Sequence, residues 1–255
     1  MSEKTDFDPR SATISADDLR ERVILVTGAS QGIGRAVAIS CAQHGAIVLL
    51  LGRNARQLNE VHAQITTVHG EERAAIIEFD LENALARDYD ALFAAIEERY
   101  QRLDGLLHNA GMLGQLAPIE HYDVPTWCRV MQVNLTAAFV LTQILLPLLK
   151  RSADASILFT SSSVGRVGRA YWGAYAVSKF ALEGLNEVLS EELSGFTRIR
   201  VNSLNPGPVR TGLRRQAYPA EDAGSLATPE SVTRAYIALL GPASRGISGG
   251  RFMGQ

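Results

Sequence analysis

Cysteine occurs only twice in the 255 residues, at Cys41 and Cys128, and neither sits at a metal-type spacing. Both lie in helix-like segments, so the expectation is two buried thiols in a reduced compartment, with no disulfide framework and no metal site. Net charge is nearly absent at −2, which removes the electrostatic basis for binding nucleic acid or an anionic membrane surface. No uninterrupted apolar run approaches the ~20 residues of a transmembrane helix. The polar, acidic N-terminus does not resemble a signal peptide. A soluble, cytoplasmic protein without a membrane partner is expected. Repeats, linkers and low-complexity segments are missing too, so one domain is expected over residues 22–255. Residues 1–21, with Asp6, Asp8, Pro9, Asp17 and Asp18, read as an arm packed loosely ahead of it.

What is present centres on Thr27-Gly28-Ala29-Ser30-Gln31-Gly32-Ile33-Gly34. The apolar run 23–26 leads into it. The segment 35–43 that follows reads as helix, with Ile33, Val37 and Cys41 at four-residue spacing on one face. The glycines therefore fall on a strand-to-helix turn. Lacking Cβ, glycine takes positive φ and lets a backbone or ligand approach closely. Such a turn offers unpaired N–H groups at a helix N-terminus, where an anion such as a pyrophosphate is favoured. Ser30 adds a hydroxyl that can donate to phosphate.

Strand and helix patterns alternate along the rest of the chain. Strands are expected at 46–51, 74–79, 105–108, 156–159 and 199–204, with a last one within 248–252. Helices are expected at 55–68, 89–100, 124–149, 174–193 and 229–240. This alternation predicts an α/β fold: a single Rossmann-like, doubly wound parallel sheet with helices on both faces. Ligands of such sheets lie beyond the carboxyl ends of the strands. Gly28, Arg53, Asp80, Asn109, Ser162 and Pro206 all fall at those ends.

Tyr175 and Lys179 are four apart on a predicted helix and so share a face. An ammonium beside a phenol favours the phenolate and lowers its pKa, suiting the tyrosine to proton transfer at a carbonyl or alcohol oxygen. Tyr171, four residues earlier, is a rival; the partner Lys179 points to Tyr175.

With these residues in view the chain resembles the short-chain dehydrogenase/reductase family, over about residues 20–212 and weakly beyond. The matching residues are Thr27 to Gly34, Asp80-Leu81, Asn109-Ala110-Gly111, Asn134, Ser162, Tyr175-Ala176-Val177-Ser178-Lys179 and Asn205-Pro206-Gly207. The resemblance implies a catalytic set of Asn134, Ser162, Tyr175 and Lys179. Ser162 is chosen among three adjacent serines because it opens Ser-x-x-Gly thirteen residues before the tyrosine; Ser161 and Ser163 are then neighbours without a direct role. Tyr175 would be general acid or base, and Ser162 would bond the substrate oxygen. Lys179 would lower the tyrosine pKa and bind nicotinamide ribose, and Asn134 would hold a water. The resemblance also places Asp80 and Leu81 at the adenine. It sets Gly28, Ser30, Gln31, Gly32, Ile33, Gly34, Asn109, Ala110 and Gly111 along the cofactor, and Pro206, Gly207, Val209 and Thr211 at the nicotinamide carboxamide. His108 stands where the family usually has Asn, and reads as a structural residue.

Cofactor choice is read from a further absence: no Asp or Glu lies between Arg35 and Asn59. An NAD site wants a carboxylate on the ribose 2′-OH about 20 residues past the glycines. Arg53 stands there instead, with Arg56 one turn on, and guanidinium suits a phosphate. The expected cofactor is NADP, and the expected activity is hydride transfer between nicotinamide and a carbonyl or secondary alcohol. The competing readings are a nucleotide-binding redox sensor or interaction protein without turnover, and an epimerase or dehydratase. The segment 212–227, with Arg214, Arg215, Tyr218, Glu221 and Asp222, reads as a solvated loop, the alternative being that the two arginines meet an acidic substrate, and Tyr171 and Trp172 read as neighbours of the cleft. Ala137, Leu141, Leu185 and Leu189 are offered as apolar positions for the helix-mediated homodimers or homotetramers of the family.

Overall fold

The computed structural model describes residues 7–255; Asp6 and the rest of the first six residues of the expected arm lie outside the described residues. Seven strands form one all-parallel sheet in the order β3-β2-β1-β4-β5-β6-β7. They are β1 (Val23–Thr27), β2 (Ile47–Gly52), β3 (Ala74–Glu78), β4 (Gly105–His108), β5 (Ser156–Thr160), β6 (Arg200–Asn205) and β7 (Arg251–Met253). The helices are α1 (Gly32–Gln43), α2 (Ala55–His69), α3 (Ala86–Tyr100), α4 (Val124–Met131), α5 (Ala137–Lys150), α6 (Gly173–Leu193), α7 (Gly212–Ala217) and α8 (Thr233–Leu240). The expected Rossmann-like, doubly wound sheet is what the chain forms. The strand order reverses between β1 and β4, and in this architecture that switch point opens the ligand crevice.

The two-sided burial follows from the apolar runs. Successive side chains of a strand point to opposite faces. Ile24, Val26, Val48 and Leu50 join one core layer with α1, α2 and α8, while Val23, Leu25, Leu49 and Leu51 join the other with α3, α5 and α6. Residues 7–21 are held more closely than a loose arm. Leu19 is fully buried, its N–H donates to the His44 carbonyl at 3.0 Å, and Phe7 meets Phe252 edge-on.

Three expectations are corrected. Cys128 is exposed and only Cys41 is buried, because α4 buries Val130 alone and leaves Cys128 on its outer side. Ala137 and Leu141 are wholly buried, so neither is a free oligomer contact, while Leu185 and Leu189 pack on the same core and stay partly exposed. The exposed apolar residues of these helices are Phe139, Val177, Phe180 and Val188. Finally, Val124–Lys150 is one continuous 27-residue helix long and apolar enough, by length and composition, to cross a membrane, with mean hydropathy 1.6 over 18 residues. Polar interruptions at Gln132 and Asn134 keep it from reading as an uninterrupted run. In the fold, Leu141, Leu145 and Leu148 of this helix are buried in the core.

Candidate active site

The glycine turn is locked from beneath. Thr27 ends β1, and its hydroxyl donates to the Leu107 carbonyl at 3.2 Å while accepting from the N–H groups of Asn109 (2.9 Å) and Ala110 (3.0 Å). Asn109 Nδ2 donates to the Thr27 carbonyl at 3.1 Å. This knot brings the end of β4 so near the turn that a Cβ on Gly28 would lie 2.9 Å from Ala110 Cα. Gly28 and Gly32 have φ of +66° and +56°, a region that L side chains avoid. A Cβ on Gly34 would run into the Gly28 carbonyl and the Asn109 side chain, so helix α1 can pack this closely only with glycine there. Gln31, at the N-cap of α1, makes no side-chain capping bond, and the first N–H groups of the helix remain open to an anion.

Beyond β2, Arg53 is exposed, with Nη1 3.4 Å from Glu82 Oε2. Arg56 turns away to pair with Glu60 on α2 and takes no part in the cleft. Asp80 uses its carboxylate to close its own turn, accepting from Glu82 N at 3.0 Å and Asn83 Nδ2 at 2.8 Å. The Asn83 bond, above all, holds its pKa below the ordinary carboxylate value.

The proposed catalytic side chains come from three elements. Tyr175 and Lys179 stand one turn apart on α6, both buried, and Ser162 follows β5 on the facing turn. Ser161 and Ser162 both line the cleft, but Ser161 is buried and bonded to Glu183, Ser162 is half-buried, and Ser163 is exposed and off the cleft. Tyr171 is exposed and lies outside the cleft, whereas Trp172 lines it. Burial pushes the Tyr175 phenol up to about 12, and hydrogen bonding by Ser162 acts the other way. Burial also pushes the Lys179 ammonium down to about 8, opposed by the Glu183 charge. The ammonium donates to the Thr160 carbonyl at 2.8 Å and stands 5.6 Å from the tyrosine ring centroid.

Asn134 sits in a π-type turn, Gln132–Thr136, between α4 and α5, where the Ala137 N–H reaches back to the Gln132 carbonyl. Such bulges recur at functional sites. Its side chain clasps the loop after β4, accepting from Met112 N at 2.8 Å and donating to the Met112 carbonyl and Ser178 Oγ, both at 3.0 Å. His108 is enclosed nearby, bonded to Thr142 at 2.9 Å and stacked on Phe159; burial pushes its pKa down to about 3, so it stays neutral.

One cleft of about 310 Å³ gathers nearly all of these positions. Gly28, Ser30, Gln31, Gly32, Ile33, Arg53, Asp80, Leu81, Asn109, Ala110 and Gly111 line one part, and Ser162, Tyr175, Lys179, Pro206, Gly207, Val209 and Thr211 the other. Gly34 and Asn134 lie behind its wall rather than on it.

Sequence reading missed several features. Segment 212–227 is not an open loop: Thr211 caps the short helix α7, and Arg214 donates two hydrogen bonds to the Glu221 carboxylate, at 2.7 and 2.5 Å, while lying over the Tyr218 ring. Trp172, Leu113, Val164 and Ala217 pack around Tyr175 as an apolar wall. Gln255 Nε2 donates to the Pro206 carbonyl at 2.7 Å and clamps the turn at Gly207, whose φ is +76°. Glu183 was legible, since it repeats the four-residue spacing beyond Lys179.

The parallel sheet, its switch-point cleft and the glycine turn define the Rossmann-like class of nucleotide-binding oxidoreductases. Residues 22–222 match the short chain dehydrogenase family. The chain is 48% identical over 239 residues, 94% of each protein, to the oxidoreductase YciK of Escherichia coli (strain K12). A short chain dehydrogenase structure from Pseudomonas syringae is 51% identical with a TM-score of 0.94, covering 96% of this chain and 99% of that one. Another, from Escherichia coli CFT073 in complex with NADPH, is 48% identical with a TM-score of 0.90, covering 95% and 100%. The chain belongs to the short-chain dehydrogenase/reductase family and is an oxidoreductase of that family.

Proposed function

We propose that this oxidoreductase uses NADP(H) to reduce a neutral, largely apolar carbonyl compound, or to oxidise the matching secondary alcohol, with Tyr175 as general acid or base. The observation that carries the reading is the meeting of Tyr175, Lys179 and Ser162 with the glycine turn on one cleft. The cleft-lining turn at Gly28 and Gly32, both at positive φ, and the open N-terminus of α1 fit a pyrophosphate. Arg53, with no carboxylate at the end of β2, fits a 2′-phosphate, and the NADPH complex of the Escherichia coli CFT073 relative agrees with that choice. Asp80 and Leu81 would border the adenine, and Pro206, Gly207, Val209 and Thr211 the carboxamide. NADP(H), when bound, supplies or accepts the hydride.

The chain's own residues do the rest. The Tyr175 hydroxyl, protonated well above neutral pH, gives its proton to the carbonyl oxygen. Ser162 donates a hydrogen bond to that oxygen and stabilises the charge developing there. Lys179 holds a positive charge behind the phenol and donates to cofactor hydroxyls. Asn134 fixes the loop after β4 and ties it to Ser178 of α6, and would hold a water of the proton path. The wall of Trp172 and Ala217 favours apolar substrate, and Arg214 is already neutralised by Glu221.

In quaternary terms, exposed Phe139, Val177, Phe180 and Val188 support a homodimer or homotetramer built on α5 and α6. Two free cysteines suit a cytoplasmic setting. The test is NADPH consumption over a panel of ketones, aldehydes and oxo acids. Tight NADPH binding with no turnover on any of them would favour the sensor reading instead.

A further inference from the structure

Glu183 is an acid that the reaction does not use, yet it is 3% exposed and tied on every side. Ser161 Oγ donates to its Oε1 at 2.5 Å, and Ser203 Oγ to its Oε2 at 2.7 Å. Arg166 Nε lies 3.3 Å from Oε1, and Arg251 Nε 3.5 Å from Oε2. Five segments thus meet on one carboxylate: the end of β5, the turn after it, α6, β6 and β7.

The order along the chain gives the arrangement its meaning. Ser162 lies between Ser161 and Arg166, and both of these bond the same oxygen of Glu183. Glu183 itself stands one helical turn beyond Lys179, which stands one turn beyond Tyr175. The turn also rests directly on the helix: a Cβ on Gly165 would come within 2.9 Å of the Lys179 backbone. We propose that Glu183 is a positioning residue, which straps both ends of the Ser162 turn to the helix that carries Tyr175 and Lys179. A carboxylate suits the task because it accepts from two hydroxyls and two guanidiniums at once.

The proposal rests on the roles given above to Ser162, Tyr175 and Lys179. The charged and titratable groups around the strap are Arg166, Arg251, Glu187, Lys179 and Tyr175, with Tyr236 of α8 behind the Thr160 hydroxyl. Removing the Glu183 charge takes away the carboxylate partner of Arg166, while Arg251 keeps its ion pair with Glu187. It also takes away the charge that favours the protonated Lys179.

The test compares wild type with Glu183→Gln, with Glu191→Gln, an exposed position of the same helix, as a surface control. In the folded Gln variant kcat should fall about tenfold or more, within the ~10²-fold that misplacement by an ångström costs. NADPH affinity should change much less. Amide exchange in the segment 160–167 should speed up, reporting local opening without any turnover. Lys4, Lys150 and Lys179 are the only lysines, so trace acetylation against pH reads Lys179 cleanly by peptide mass, and its midpoint should move to lower pH. A folded Glu183→Gln protein with unchanged kcat and unchanged exchange overturns the proposal. If that variant does not fold, Ser161→Ala removes one strap at small cost in volume; unchanged kcat there overturns it equally. Should wild type turn over no carbonyl, the functional reading falls, and the exchange and acetylation measurements alone decide the strap.

Discussion

The Lys179 ammonium donates to the Thr160 carbonyl at 2.8 Å, across the gap between α6 and β5. It thereby ties the helix that carries Tyr175 to the strand that leads into the Ser162 turn. Its position is also electrostatically exposed to pH, since burial has brought the ammonium down to about 8 while the phenol sits near about 12. As pH rises the lysine charge goes first, with the tyrosine proton still in place. The rate of carbonyl reduction at saturating NADPH should therefore fall on the alkaline side with a midpoint near about 8. A rate that holds flat into the ordinary tyrosine range would contradict this order of titration.

His108 gives a stability prediction. Its pKa drops from 6.5 to about 3 in the fold because burial disfavours the imidazolium. Below 6.5 the unfolded chain takes up a proton that the native state refuses, so stability falls as pH falls, by up to ~1.4 kcal/mol per pH unit. Denaturant unfolding at several pH values above the carboxylate range should show this loss. The His108→Asn variant, which can still bond Thr142, should lose up to one proton's worth of that slope. Equal slopes in both proteins would mean that His108 is protonated in the fold.

Arg53 and Glu82 lie 3.4 Å apart at the rim of the cleft, so the guanidinium is shared before any phosphate arrives. Arg53→Ala should lower the preference for NADPH over NADH by ~10- to 10²-fold, the scale of one charge-assisted bond. Glu82→Gln should tighten NADPH binding, since it frees Arg53 and removes a nearby negative charge. Both effects should weaken with salt, as expected near solvent. Parallel titrations of the two dinucleotides check this; an Arg53→Ala protein with unchanged preference would remove the arginine from cofactor choice.

The pair Arg214 and Glu221 neutralises Arg214 where it lines the cleft beside Ala217. Glu221→Gln should release Arg214 and raise kcat/KM for oxo acids relative to neutral ketones by several-fold. Trp172→Ala should raise KM for apolar ketones with little effect on NADPH binding. A wild-type enzyme that already prefers oxo acids would overturn the apolar assignment.

Much of this fold is legible along the chain because a parallel sheet writes its strands as apolar runs, and 23–26 and 46–51 stand out for that reason. The strand ends then announce themselves by glycine, Asn109 and Ser162. Other features escape for identifiable reasons. The turn around Asn134 is a matter of one backbone bond reaching a residue further, and no residue type encodes it. Cys128 lies in an apolar helix, and only the neighbours of that helix decide which side is covered. Gln255 acts on Pro206 from the far end of the chain, a contact that no local pattern carries. The pairing of Arg214 with Glu221 spans a segment without apolar periodicity, which reads as loop until the partners are seen together. Tyr175 was chosen over Tyr171 by the lysine one turn on, and the two differ in the fold as a buried and an exposed residue.

The most direct measurement is NADPH consumption by wild type and by Tyr175→Phe across a panel of neutral apolar ketones and aldehydes. That substitution removes one hydroxyl from a packed site, so folding and NADPH binding should persist. The account predicts turnover in wild type and a loss of ~10²-fold or more in the variant, the scale of general acid catalysis. Comparable turnover by the two proteins would contradict the assignment of Tyr175 as the proton donor.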